Sequence, residues 1–142
     1  MKNTAALVLS LALAGGTLVA QNATVRSLDA TAHPLLSKDL VGLPGKEVSM
    51  LTVEYPPGAK DPVHMHHAQA FVYVLEGSIV MQVKGGQPVT LLPGQTFYEG
   101  PDDVHIVGRN VSSTAPAKFL VVFVKDKGAP ILTPVNSEKE PQ

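Results

Sequence analysis

Five histidines carry the chemistry that can be read from this chain: His33, His64, His66, His67 and His105. Three of them fall within four positions, in the stretch VHMHHAQ. On a β-strand side chains alternate between the two faces, so His64 and His66 share one face and His67 takes the other. Two imidazoles on one face reach the same point and can chelate one metal ion, and imidazole suits Zn, Cu, Fe and Ni. Alone the pair is a weak signal, because single histidines are often partly buried and hydrogen-bonded without any ion. The context strengthens it. Pro57-Gly58 stands just ahead of His64, a second Pro-Gly turn follows at Pro93-Gly94, and His105 comes eleven residues after Gly94. The chain has no cysteine, which excludes disulfides, thiolate metal sites and cysteine nucleophiles.

The elements that must position these histidines read as short strands and turns. Residues 47–55, EVSMLTVEY, alternate and are β-prone, and Pro56-Pro57-Gly58 turns the chain. Strands are expected at 63–66, at 70–76 (a buried-looking apolar run, AFVYVLE) and at 79–83. Lys84-Gly85-Gly86-Gln87 signals a hairpin. Further strands are expected at 89–92, 95–98, 104–108 and 118–125, with residues 99–103 as a loop around Gly100-Pro101. About eight short strands without helical periodicity argue for an all-β sandwich or barrel.

With these turns and strands in place, the chain resembles the cupin family. That family's first motif runs from a glycine through His-x-His to a second glycine, and Gly58 to Gly77 matches it around His64 and His66. Its second motif is matched by Gly94 to His105, with Asn110 one place late. The likeness covers residues 47–126. It implies a double-stranded β-helix, or jelly roll, in which His64, His66 and His105 converge on one divalent metal ion (Fe, Mn, Ni, Zn or Cu) in the barrel mouth. The family's usual fourth ligand is a glutamate, and its place falls on Ala70, which cannot bind metal. Gln69 beside it is out of phase. The expected ligand set is therefore three neutral imidazoles, with other positions open to water or a substrate. Such an ion keeps its charge, favours an anionic oxygen ligand and lowers the pKa of a bound water. Asn110 would make a structural hydrogen bond near the His105 strand.

Glu99 is the candidate catalytic group. Just before Gly100-Pro101, it reads as a carboxylate at the rim that could serve as weak ligand or general base, or else as a solvated loop acid. His67 is expected at the surface, Tyr73 in the core, and Met65 and Met81 as gap fillers.

The ends carry different information. Lys2 followed by the apolar run from Ala5 to Ala14, then Gly15-Gly16 and small residues up to Ala20, has the layout of a secretory signal peptide. The run is short for a membrane anchor, which needs about 20 residues. A periplasmic or secreted protein is expected, with no membrane attachment once the leader is removed. Residues 21–46 read as an arm leading into the domain, and residues 127–142 as a tail that wraps the surface or frays. The 142-residue chain has a net charge of −1, so no basic footprint for nucleic acid is present. Three functions remain open: a metal-dependent enzyme of oxygenase, isomerase or lyase type acting on a small anionic molecule, a non-catalytic binding module with the same pocket, and a barrel with vestigial histidines. Family members are often homodimers, so the resemblance makes a homodimer possible without fixing the oligomer.

Overall fold

The computed structural model of the protein describes residues 29–135. The expected signal peptide lies outside the described residues. Ten strands form: β1 (Thr31–Asp39), β2 (Lys46–Tyr55), β3 (His64–Met65), β4 (Ala68–Glu76), β5 (Ile79–Val83), β6 (Val89–Leu91), β7 (Thr96–Glu99), β8 (Val104–Asn110), β9 (Ala117–Asp126) and β10 (Thr133–Pro134). They make two five-stranded sheets, ordered β1-β2-β9-β4-β7 and β10-β3-β8-β5-β6, with every pairing antiparallel. The fold is all-β, a double-stranded β-helix. Among the described residues no helix could cross a membrane.

Alternation builds the core. On β4, Ala68, Ala70, Val72 and Val74 point inward while Gln69, Phe71, Tyr73 and Leu75 face out. On β9, Ala117, Phe119, Val121, Phe123 and Lys125 are buried. These inner faces meet Leu51 and Tyr55 of β2 and Ile79 and Met81 of β5. Lys125 is tolerated inside because its ammonium donates to the Glu47 carboxylate and to the Ala129 carbonyl at 2.7 Å.

Three sequence expectations are corrected. The arm over residues 21–46 contains β1, a full edge strand paired residue by residue with β2. Its nine residues are all exposed, so burial imposes no period on them and backbone pairing alone defines the strand. The apolar run over 70–76 is not buried throughout: an antiparallel sheet turns one face to solvent, and Tyr73 lies on it rather than in the core. The tail neither frays nor merely wraps at its start, since β10 extends the second sheet against β3 and the Val135 amide donates to the Val63 carbonyl at 3.1 Å.

Both sheets are joined at two crossings that matter for the site. The chain passes from the second sheet to the first between β3 and β4, through His66-His67. It returns from first to second between β7 and β8, through residues 100–103. The crossings are tied together, as the Asp102 amide donates to the His66 carbonyl at 3.0 Å and the Asp102 carboxylate meets the His67 ring. Asp102 takes a left-handed φ of 66°, a conformation that Asp tolerates better than most residues.

Candidate metal centre

The register of the two sheets sets four side chains around one point. In the second sheet His64 of β3 stands directly opposite His105 of β8. In the first sheet Glu99 of β7 stands directly opposite Ala70 of β4. Opposite residues in an antiparallel pair share a face, and here both faces are the inner ones. His66 enters from the β3–β4 crossing. All four are at least nine-tenths buried, and one nitrogen or oxygen from each lies within 4.8 Å of the others.

The hydrogen bonds fix which atom each histidine presents. His64 donates Nδ1–H to the Pro62 carbonyl at 2.8 Å, and His66 donates Nδ1–H to the Ile131 carbonyl. A carbonyl can only accept, so the ring proton sits on Nδ1 and each Nε2 carries a lone pair. Those two Nε2 atoms face one another at 3.2 Å. His105 donates Nε2–H to the Val107 carbonyl at 2.6 Å and turns Nδ1 toward Glu99. The Glu99 Oε2 atom is 3.6 Å from His105 Nδ1 and 3.7 Å from His66 Nε2. It is buried and has no hydrogen-bond partner.

Three imidazole lone pairs thus converge on a carboxyl oxygen, and once that carboxyl ionises the four donors repel one another unless a cation sits inside. With metal–ligand bonds of about 2.0–2.2 Å, neighbouring ligand atoms stand about 3.0–3.5 Å apart. Three of the six separations, at 3.2–3.7 Å, are close to that, and all lie within 4.8 Å. The donor set therefore fits a divalent first-row ion. The carbonyls of Pro62, Val107 and Ile131 orient the imidazoles in the way outer partners orient metal-bound histidines.

Electrostatics point the same way. Burial, with the Asp61 and Asp103 charges adding to it, pushes the Glu99 carboxyl up to about 7. Burial, with the neighbouring His64, pulls His105 down to about 4 and lowers His66 as well. Glu99, His66 and His105 are each shifted toward the neutral form for want of a counter-charge, and a bound cation would reverse this for Glu99.

The structure brings together His64, His66 and His105 and adds Glu99, so the group that could hold a metal is three imidazoles and a carboxylate rather than three imidazoles alone. Glu99 is not at a rim or in a loop: it is the last residue of β7, only 2% exposed. The carboxylate absent at Ala70 is supplied from the neighbouring strand, directly across from the methyl group that leaves room for it. His67 is half-exposed beside Asp102, and His33 lies on exposed β1, away from the cluster. Asn110 is buried, donates from Nδ2 to the carbonyls of Tyr55, Pro56 and Ala115 at 2.8–3.2 Å, and accepts from the Ser112 amide at 2.9 Å.

Two further groups escaped sequence reasoning. The Tyr55 hydroxyl donates to Asp61 Oδ2, and both residues line the cavity beside the cluster. Burial raises the Asp61 carboxyl, against the lowering effect of that hydrogen bond. A side chain on Gly108 would collide with them, since its Cβ would fall 2.8 Å from Asp61 Oδ2, 2.9 Å from the Tyr55 hydroxyl and 3.0 Å from His105 Cε1. The Ile131 carbonyl that orients His66 comes from the tail, and no side chain could have announced a backbone contact.

Comparison with known proteins places this geometry. A family model described as Cupin domain matches residues 51–123. No curated protein matches the chain in sequence. Among solved structures, the DMSP lyase DddQ from Ruegeria pomeroyi is similar at 22% identity and a TM-score of 0.56, over 66% of this chain and 45% of that one. TT1209 from Thermus thermophilus is similar at 26% identity and a TM-score of 0.55, over 68% of this chain and 84% of that one. A recombinant oxalate oxidase in complex with glycolate is similar at 23% identity and a TM-score of 0.59, over 78% of this chain and 57% of that one. The chain thus spans less than half the length of the DMSP lyase. With the family model covering more than half of its residues, the chain belongs to the cupin domain family.

Proposed function

We propose that this protein is a metal-dependent cupin that holds one divalent first-row ion through His64, His66, Glu99 and His105 and presents it to a small molecule in the adjoining cavity. The observation that carries the reading is the convergence of three lone-pair nitrogens and a buried, partnerless carboxylate oxygen. When bound, such an ion polarises a coordinated oxygen or, if redox-active, supports oxygen chemistry. The chain's own part is to aim the donors, exclude water with the inner faces of both sheets, and keep Asp61 beside His105 as a group able to take or return a proton. Similar structures include a lyase and an oxidase, so the fold supports either reaction and does not choose between them. The signal-type leader supports export, which would put the activity outside the cytoplasm.

The test is reconstitution of metal-free protein with each first-row divalent ion, read first as bound metal per chain and then as oxygen uptake and as turnover of small oxygen-bearing substrates. One ion per chain, lost in the H64A/H105A double variant, is expected. Metal bound but no turnover with any ion would leave a binding module, and no metal bound would remove both readings.

A further inference from the structure

The cavity that adjoins the four donors has a volume of about 470 Å³, within the usual size of small-molecule sites. Its lining is unlike that expected for a small polyanion. Thirteen of its 21 residues are apolar, among them Leu51, Val53, Val72, Phe119, Val121 and Phe123. The lining contains no arginine, and Lys60 is its single lysine, on an exposed position. Three acids face the same space: Glu99, Asp61 and Asp29. The Tyr55 hydroxyl is already committed to Asp61. Polar groups that a ligand could meet are therefore few outside the donor cluster, and most of the remaining wall rewards apolar contact.

Charge supports the same division. Glu99 gives the ligand set one negative charge, so a divalent ion bound there retains about one positive charge rather than two. Asp61 stands close by. A dianion would meet three acids and no guanidinium, whereas a monoanion or a neutral chelator with a hydrocarbon body would match both halves of the cavity. We infer that the ligand of this centre has a mostly apolar body, carries at most one negative charge, and meets the metal through an oxygen head group. This rests on the metal reading above and narrows the anionic substrate expected from sequence.

A homologous series separates the inference from the reading beneath it. Co(II)-loaded and metal-free protein are titrated calorimetrically with acetohydroxamate, butanohydroxamate, hexanohydroxamate and octanohydroxamate, which share one chelating head and differ in chain length. Each buried methylene should tighten binding about fourfold, and hexanohydroxamate should bind the loaded protein roughly 200-fold more tightly than acetohydroxamate. The V121F variant, which adds bulk to the apolar lining, should flatten the rise for the longer chains. Equal affinity along the series on loaded protein would overturn the apolar inference and leave the metal reading standing. The same rise on metal-free protein, at the same affinities, would uphold the apolar wall and remove the metal. Binding of no member in either form would overturn both.

Discussion

Replacing Glu99 by Gln should change the sign of its effect with the metal. In the metal-free protein Glu99 is a buried carboxyl whose Oε2 has no partner. Its native pKa lies at about 7, against 4.5 for the ordinary side chain. A raised carboxyl pKa means that the folded state binds the proton more tightly than the unfolded chain. Its contribution is fully present below pH 4.5 and is lost as the pH rises through about 7. That gap, at about 1.4 kcal/mol per unit, is a destabilisation of about 3 kcal/mol at about pH 8. Glutamine keeps the shape and removes the charge. Thermal unfolding of metal-free E99Q at about pH 8 should therefore occur about 10 °C above that of the native chain, and the two should melt together at about pH 4. With Co(II) in excess the order reverses, because the native chain gains binding free energy that the variant, lacking an anionic ligand, gains only in part. A metal-free E99Q that is no more stable than the native chain under the alkaline condition would refute the placement of Glu99 as a buried, unpaired acid.

Four other outcomes follow from the geometry. In A70E/E99A the carboxylate moves to the strand directly opposite and should restore much of the metal binding that E99A alone loses, while A70E alone sets two carboxylates face to face and should weaken it; equilibrium dialysis of Co(II) compares the three. Metal affinity should fall as the pH drops below about 7, since protonation of Glu99 competes with the ion, and binding near neutrality should release protons measurable in buffers of different ionisation enthalpy. G108A should lower metal affinity by roughly tenfold or more, because its methyl group displaces Asp61, Tyr55 or His105; a calorimetric Kd equal to that of the native chain would contradict the packing. G77A should cost about 2 kcal/mol or more in chemical unfolding, as its Cβ would fall 2.7 Å from the Pro116 carbonyl at a φ of +69°.

Much of the fold was legible because burial on one face writes a period of two into the chain. Strand β5 is found where the sequence places it, and β4, β8 and β9 differ only at their ends. Strand β1 was not legible, since an edge strand exposed on both faces carries no such period. His64 and His66 could be paired from their spacing, but their meeting with His105 depends on a cross-strand register that no local pattern states. Glu99 is the instructive residue. On β7 it is in phase with half-buried Phe97 and out of phase with exposed Thr96 and Tyr98, so the inward direction was present in the alternation. Ending the strand one residue early, on the strength of Gly100-Pro101, turns an inward-facing acid into a loop acid. By motif alone the small residue at Ala70 is a lost ligand, whereas in the folded sheet it stands directly opposite Glu99.

A crystal structure of protein loaded with one first-row divalent ion, with anomalous scattering measured at that metal's absorption edge, bears most directly on the whole account. One anomalous peak is expected at bonding distance from His64 Nε2, His66 Nε2, His105 Nδ1 and a Glu99 carboxylate oxygen. A peak elsewhere on the chain, or none at this point in fully loaded protein, would contradict it.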